Sequence, residues 1–195
     1  MKDFSKNVPR ETLEKFRVYR ELLVKWQKAI NLVSRGTLND VWSCHINDSL
    51  QIVPYITARK VLDIGSGAGF PGMILAMIGG FDVICVDSDK RKTIFLEEVA
   101  RLTKTCVTVI NDRVENLTNL DVGVICARGF SNLSNLVEII NSFKSSPIGV
   151  FLKGTKVKGE IEDASTLFDF RYELHDVDPS KKIIVINSVT RKNAI

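Results

Sequence analysis

Apolar residues in the first part of the chain recur every three or four positions, which is the spacing of one face of an α-helix. This spacing predicts a helix over residues 9–31, and Pro9 suits its first turn, where a missing N–H has no cost. A second helix is predicted over residues 38–55. We interpret both stripes as core positions; the first consists of Leu13, Phe16, Tyr19, Leu23, Trp26 and Ile30.

Beyond residue 60 the pattern changes to short apolar runs that alternate with helix-like stretches. This alternation is typical of right-handed βαβ units that build a parallel sheet. The apolar runs predict strands at residues 61–64, 83–86, 107–110, 122–125 and 148–152. Helices are predicted between and after them, at residues 71–78, 89–102, 132–143 and 156–167.

The chain closes on two adjacent strand-like segments, residues 170–176 and 182–189, whose turn-like link predicts an antiparallel hairpin. We therefore expect one domain over residues 1–195. It should have an N-terminal helical extension, 1–58, and an α/β core, 59–195, with a mostly parallel seven-stranded sheet.

Composition and charge indicate which class of partner the chain suits and which compartment it occupies. The formal charge is +4, but residues 1–60 carry +5 and the remainder −1, so the N-terminal segment suits a polyanion as well as plain solvent. Without a signal peptide or an apolar run long enough for a bilayer, a cytoplasmic protein is expected. None of the four cysteines forms a Cys-x-x-Cys pair, so we expect buried free thiols and no metal site. The candidate phosphate contacts are Lys25, Lys28, Arg35, Arg59 and Lys60.

A glycine-rich turn between the first strand of the core and the next helix is the strongest local signal. Gly65, Gly67 and Gly69 permit positive φ angles and let a ligand lie against the backbone. The helix that follows offers free N–H groups to an anionic end of that ligand. Asp87 stands 22 residues after Gly65, at the end of the second strand, where an acid can accept both hydroxyls of a ribose.

The identity of the nucleoside depends on two further positions. Residues 67–72 match the dinucleotide fingerprint literally, so an NAD-dependent oxidoreductase stays open. However, Phe70 stands where the third glycine should fall when the count begins at Gly65. Asp63 precedes the loop in the strand, and we expect its carboxylate to help hold a cofactor ammonium through bound groups or water. This order favours S-adenosylmethionine and the Rossmann-like fold of class I methyltransferases.

Seven short segments occur in order along the chain: Asn31-Leu32-Val33-Ser34, His45-x-x-Asp48-Ser49-Leu50, Gly65 to Gly72, Val86-Asp87-Ser88, Arg113-Val114-Glu115, Ala127-Arg128-Gly129-Phe130 and Leu152-Lys153-Gly154. Together they resemble the RsmG (GidB) family of bacterial methyltransferases, which act on guanine N7 in small-subunit (16S) ribosomal RNA. The resemblance spans about residues 13–188. The chain departs from the family at Gly129, where alanine is more usual, and in its short, lysine-containing final hairpin.

The resemblance implies a set of cofactor contacts. Asp87 and Ser88 would meet the ribose, and Val114 and Glu115 would frame the adenine, although without the resemblance Glu115 is better interpreted as a surface acid. The other implied cofactor residues are Gly65, Gly67, Gly69, Phe70 and Arg128.

Arg128 is also the first candidate for a contact with an RNA phosphate or base edge, with a plain salt bridge as its alternative. His45, Asp48 and Lys153 are further candidates at the rim of the RNA site, although capping or core hydrogen bonds would explain the first two equally. A nucleophilic role for Cys126 is disfavoured, since the residue lies in a strand without a Pro-Cys neighbourhood.

The expected chemistry needs no general base. Residues 126–130 lack the Asp/Asn-Pro-Pro-aromatic tetrapeptide of enzymes that methylate exocyclic amines. Guanine N7 already has a free lone pair, so positioning should supply the catalysis. We expect a monomer that acts on small-subunit rRNA or the small ribosomal subunit and not on a membrane. A small-molecule methyltransferase and a non-enzymatic cofactor-binding or RNA-binding module remain alternatives.

Overall fold

The sheet of this computed structural model, which describes residues 8–193, has seven strands in the order β3-β2-β1-β4-β5-β7-β6. β1 to β5 are parallel, and β7 pairs antiparallel with both β5 and β6. The predicted fold class is confirmed. The strands are β1 Lys60–Ile64, β2 Asp82–Val86, β3 Thr108–Ile110, β4 Val124–Arg128, β5 Ile148–Gly154, β6 Phe168–Asp178 and β7 Lys181–Arg191.

Within residues 8–193, six α-helices cover this sheet or extend from it. The periodicity of apolar residues locates the five longer helices to within a few residues, although the first ends at Trp26 and not near residue 31. A short 3-10 helix, Val114–Leu117, follows β3. The α-helices are α1 Arg10–Trp26, α2 Asp48–Leu50, α3 Gly72–Ile78, α4 Lys90–Thr103, α5 Leu133–Ser142 and α6 Val157–Leu167.

Alternation along the strands divides the buried residues between two faces. Val61 of β1 belongs to the cluster that includes α1, α3 and α4, whereas Leu62 and Ile64 belong to the cluster that includes α5 and α6. Successive side chains of a strand point to opposite faces, so a strand buried on both sides is apolar throughout. The N-terminal extension therefore packs on one face of the sheet, with Phe16, Tyr19 and Leu23 fully buried in its interface.

The predicted single helix over residues 38–55 is wrong. The chain forms a 3-10 helix at Arg35–Asp40, a π-helix at Trp42–Asn47, the short α2 and another 3-10 helix at Val53–Tyr55. Pro54 cannot donate a helical hydrogen bond, which helps end the segment. The wider π turn carries His45 and Asn47 into buried positions, and π turns of this kind are frequent at functional sites.

The fold corrects two expectations, one about the basic residues before β1 and one about the burial of the cysteines. Arg59 and Lys60 precede β1 and pair with Asp82 and Asp121, 3.0 Å and 2.6 Å away, at the edge where the parallel strands begin. The glycine loop lies at the opposite edge, so neither cation belongs to the rim of the site. Cys106 is exposed, although Cys85 and Cys126 are buried as expected.

No helix within residues 8–193 is long and apolar enough to cross a membrane. In the same range, no group of three or more His, Cys, Asp or Glu side chains is placed to hold a metal ion.

Candidate cofactor and substrate site

The glycine loop follows β1 at the carboxyl edge of the parallel strands, where open α/β sheets bind their ligands. Gly65, Gly67 and Gly69 have φ angles of +59°, +58° and +96°, which favour glycine. A Cβ at Gly65 would lie 2.0 Å from Cδ2 of Phe130, so the ring of Phe130 rests directly on the loop backbone. The loop thus needs glycine both for its backbone and for the close approach of its neighbour.

Asp63 supports the loop from below. Its side chain is fully buried, and Oδ2 accepts the N–H of Gly72 at 3.0 Å, at the start of α3. Burial raises the pKa of Asp63 to about 7, against the opposing effect of this hydrogen bond. Asp63 does not line the cavity described below, so any help that it gives a cofactor ammonium would be indirect; in the structure its carboxyl group fixes the loop to α3.

Asp87, the residue after β2, contacts the same loop through its side chain. Its Oδ2 accepts the N–H of Gly67 at 2.8 Å, and its Oδ1 accepts the N–H of Asp89 at 2.8 Å. Each carboxylate oxygen has a second acceptor position. The same side chain can therefore order the loop and accept ribose hydroxyls.

A cavity of about 290 Å³ lies over this loop, between the ends of β1, β2 and β4. It brings together five of the predicted cofactor residues: Gly65, Asp87, Ser88, Val114 and Glu115. Ser88 and Glu115 are exposed and Val114 is buried, so the wall has an apolar patch and a polar rim. The other lining residues are Val86, Lys92, Asp112, Arg113, Gly129 and Phe130. Gly67, Gly69, Phe70 and Arg128 do not line it.

A second cavity, of about 360 Å³, shares Gly129 with the first. All four predicted substrate residues, His45, Asp48, Arg128 and Lys153, line it. Because Gly129 lies in both walls, the two cavities meet where β4 ends. We call the first the cofactor cavity and the second the target cavity. The target cavity is also lined by Thr37, Cys44, Leu152, Gly154 and Lys181.

Arg128, the last residue of β4, joins the α/β core to the N-terminal extension. Its Nη1 donates to the carbonyl of Cys44 at 2.8 Å, and its Nη2 contacts Nδ1 of His45. Its Cζ lies 5.3 Å from the centroid of the Phe70 ring, within cation–π range. Phe70 therefore acts from behind the loop, in a stack between Tyr19 and His45 at centroid distances of 5.2 Å and 4.9 Å.

His45 is neutral in this setting. Burial lowers its pKa to about 3, and the charge of Arg128 adds to this effect. Since the guanidinium can only donate, Nδ1 accepts and the proton resides on Nε2. Nε2 then donates to Oγ1 of Thr37, 2.8 Å away. His45 is therefore fixed in one tautomer and holds Thr37 at the target cavity.

The two remaining predicted residues form ion pairs. Asp48 is buried, and its two oxygens lie 2.9 Å and 2.7 Å from Nζ of Lys181 in the hairpin. Burial raises the pKa of Asp48, opposed by Lys181. Lys153 lies 2.5 Å from Glu160 and donates to the carbonyl of Ser131 at 2.9 Å. The ammonium of Lys153 is therefore already held within the core.

Sequence reasoning missed three residues of this arrangement. Lys181 could not be assigned because its partner is 133 residues away in the chain. Tyr19 was interpreted only as core, although its hydroxyl also donates to the carbonyl of Ala68 in the glycine loop. Phe130 lies in a segment that resembles the family, and this could have marked it as a residue of the site.

Comparison with known proteins shows the family of this chain. A family model described as GidB, rRNA small subunit methyltransferase G, matches residues 12–192. A ribosomal RNA small subunit methyltransferase G from Paramagnetospirillum magneticum is 53% identical over 132 residues, 67% of this chain and 64% of that protein. A protein of the same name from Rickettsia felis is 36% identical over 188 residues, 94% of this chain and 97% of that protein.

Solved structures resemble the fold at low sequence identity. Magnesium protoporphyrin IX methyltransferase from Synechocystis PCC 6803, with bound S-adenosylmethionine, gives a TM-score of 0.61 at 13% identity, over 93% of this chain and 98% of that one. A tRNA (uracil-54, C5)-methyltransferase from Pyrococcus abyssi gives 0.53 at 18% identity, over 72% and 38%. These likenesses show the class I methyltransferase fold. The family match over residues 12–192 goes further, and the chain belongs to the GidB family, rRNA small subunit methyltransferase G.

Proposed function

We propose that this protein transfers a methyl group from S-adenosylmethionine to N7 of a guanine in small-subunit ribosomal RNA. The chain is a member of a family of S-adenosylmethionine-dependent rRNA methyltransferases. The nucleobase, the atom and the residue roles are the proposed part. We further propose that the protein acts as a monomer in the cytoplasm, on rRNA or on the small ribosomal subunit.

The observation that carries the proposal is the meeting of the two cavities at Gly129. A methyl donor in one cavity and a base in the other would face each other across a residue with no side chain. When bound, S-adenosylmethionine supplies an electrophilic methyl group. The protein holds the two reactants in line, which removes much of the entropic barrier.

The cofactor cavity fits a nucleoside. Asp87 and Ser88 would bind the ribose, while Val114 and Glu115 would frame the adenine. Gly65 would give the loop its left-handed turn and let the Phe130 ring lie against the backbone, so that both residues line the cavity. The remaining predicted cofactor residues act indirectly in this proposal: Gly67 and Gly69 shape the loop, and Phe70 and Arg128 brace it from the side of the extension.

Ring N7 as the acceptor agrees with the side chains of the target cavity. His45, with its pKa of about 3 and both ring nitrogens engaged, is a poor general base near neutral pH. Asp48 is occupied by Lys181. A ring nitrogen with a free lone pair needs neither group to remove a proton, whereas an exocyclic amine would.

Arg128 and Lys153 receive different roles. Arg128 forms an ion pair with Asp48 at 3.8 Å, as its alternative role would require, but its side chain is partly exposed. It keeps N–H donors beyond those it directs to Cys44 and His45, so one can meet O6 of guanine or a phosphate. Only 9% of the Lys153 side chain is exposed, and it is paired with Glu160. A phosphate contact by Lys153 would require that pair to open.

The test is methyl transfer from labelled S-adenosylmethionine to rRNA and to small subunits from a strain without this activity, followed by nucleoside mapping. We expect 7-methylguanosine at one position. Arg128→Ala should lose methyl transfer by more than it loses affinity for S-adenosylhomocysteine. Lys144→Ala, at the opposite edge of the sheet, is the matched control. Label on a different base atom, or none on either substrate, contradicts the proposal.

A further inference from the structure

A third cavity, of about 400 Å³, lies on the N-terminal extension close to the target cavity. The 3-10 helix Arg35–Asp40 separates them, since Thr37 lines the target cavity and Asn39 and Asp40 line this one. A 3-10 helix has three residues per turn and rises about 2 Å per residue. Thr37 and Asn39 thus lie about 4 Å apart along the axis but face different sides.

The side chains of this cavity are those that a nucleotide needs. Arg17 and Arg20 project from the exposed face of α1, and Trp42 supplies an aromatic ring. Arg20 makes no ion pair within residues 8–193. Arg17 has only an exposed pair with Glu14, 3.1 Å away, and such pairs contribute little to stability.

The polar groups at the far wall complete the set. The side-chain amide of Asn39 has no hydrogen-bond partner in the part of the chain described, so it is available to a base edge. Asp40 is the one carboxylate among the lining residues, and its Oδ1 accepts the N–H of Ser43 at 3.1 Å at the start of the π-helix. Arg17 is paired with Glu14 at the surface, and Arg20 is the lining cation that has no ion pair within residues 8–193.

We infer that this cavity binds the nucleotide adjacent to the target base, in unpaired RNA. Its phosphate would meet Arg17 and Arg20, and its base would stack on Trp42. This rests on the proposed function: the major groove of an RNA helix is deep and narrow, so N7 is reached on a base splayed from its stack. The neighbouring nucleotide then loses its own stacking partner, and aromatic and cationic side chains replace it.

The first experiment measures RNA affinity against salt concentration. R17E/R20E is compared with K104E/K144E, which makes the same charge change at exposed lysines near the opposite edge of the sheet. Loss of two phosphate contacts should lower the slope of log K against log salt by about 1.4. The affinity for S-adenosylhomocysteine should not change in either variant.

The second experiment tests stacking directly and does not depend on charge. In a Trp26→Phe background Trp42 is the sole tryptophan of the chain. Binding of an unstructured single-stranded RNA should quench its fluorescence, and R17E/R20E in the same background should need a higher RNA concentration for the same quenching. K104E/K144E should match the background protein.

The outcomes separate this inference from the proposed function. A wild-type protein that methylates rRNA, with equal salt slopes in both double variants or no fluorescence change at Trp42, overturns the inference alone. A wild-type protein that transfers no methyl group to rRNA or small subunits ends both proposals. A lower slope only in R17E/R20E, together with quenching, supports the cavity as a nucleotide site.

Discussion

Tyr19→Phe is the sharpest test of how the N-terminal extension supports the cofactor loop. Tyr19 lies on α1 with 1% of its surface exposed, and its hydroxyl donates to the carbonyl of Ala68. Burial raises the pKa of Tyr19 well above its usual value, so the hydroxyl stays protonated and remains a donor. Phenylalanine keeps the ring stacked on Phe70, at 5.2 Å, and removes only this donor.

The expected loss of stability follows from the carbonyl group of Ala68, which the substitution leaves without a donor. Without the hydroxyl, a buried carbonyl of the loop loses its donor, which costs about 1–3 kcal/mol. Removing one oxygen atom from a packed site leaves little other change. We therefore expect the free energy of unfolding to fall by about 1–2 kcal/mol. Because the freed loop must be ordered again on binding, affinity for S-adenosylhomocysteine should fall as well, by about tenfold for each 1.4 kcal/mol.

Urea unfolding with and without S-adenosylhomocysteine measures the first effect, and calorimetry measures the second. Tyr172→Phe is the matched control, because Tyr172 is 44% exposed and its hydroxyl has no partner among residues 8–193. The reasoning is refuted if Tyr19→Phe lies within about 0.5 kcal/mol of wild type, the range of neutral surface changes. It is also refuted if stability falls while cofactor affinity stays the same, since the hydroxyl would then not order the loop.

Two further predictions concern the acids beside the loop. Asp87→Ala should weaken binding of S-adenosylhomocysteine by about 1.5–3 kcal/mol in calorimetry, because both a ribose partner and the hydrogen-bond acceptor of Gly67 are lost. Asp82→Ala, at the other end of β2, is the control and should bind normally. Equal affinities of the two variants would contradict the ribose assignment. Since the pKa of Asp63 is raised from 3.8 to about 7, its protonation stabilises the native chain below pH 4 and this contribution disappears as the pH rises to 7. Asp63→Asn removes this titration, so in urea unfolding the free energy of unfolding of the variant, relative to wild type, should rise from pH 4 to 7 and stay constant above pH 7. A difference that does not change with pH would contradict a raised pKa of Asp63.

Local patterns determined much of the fold. The strands of the core and helices α3 to α6 were predicted within a few residues, because their apolar periods of two and 3.6 are imposed by one sheet with helices on both faces. The glycine loop was equally readable, since Gly65 and Gly69 have positive φ angles that few other residues adopt. The residue patterns together with the resemblance to the GidB family also predicted five of the residues that line the cofactor cavity and four that line the target cavity.

Tertiary structure decided what depends on distant partners. Residues 38–55 form no single helix, because burial of His45 against Phe70 and pairing of Asp48 with Lys181 outweigh the helical pattern of that segment. Lys181 comes 133 residues after Asp48, and no local pattern encodes that distance. The positive charge of residues 1–60 could not be mapped to a face from sequence, and folding directs Arg59 away from the site while it places Arg17 and Arg20 of α1 beside Trp42. The spacing of apolar residues along a chain favours a local conformation, whereas the partner of a charged or hydroxyl group is determined only when the chain folds into its tertiary structure.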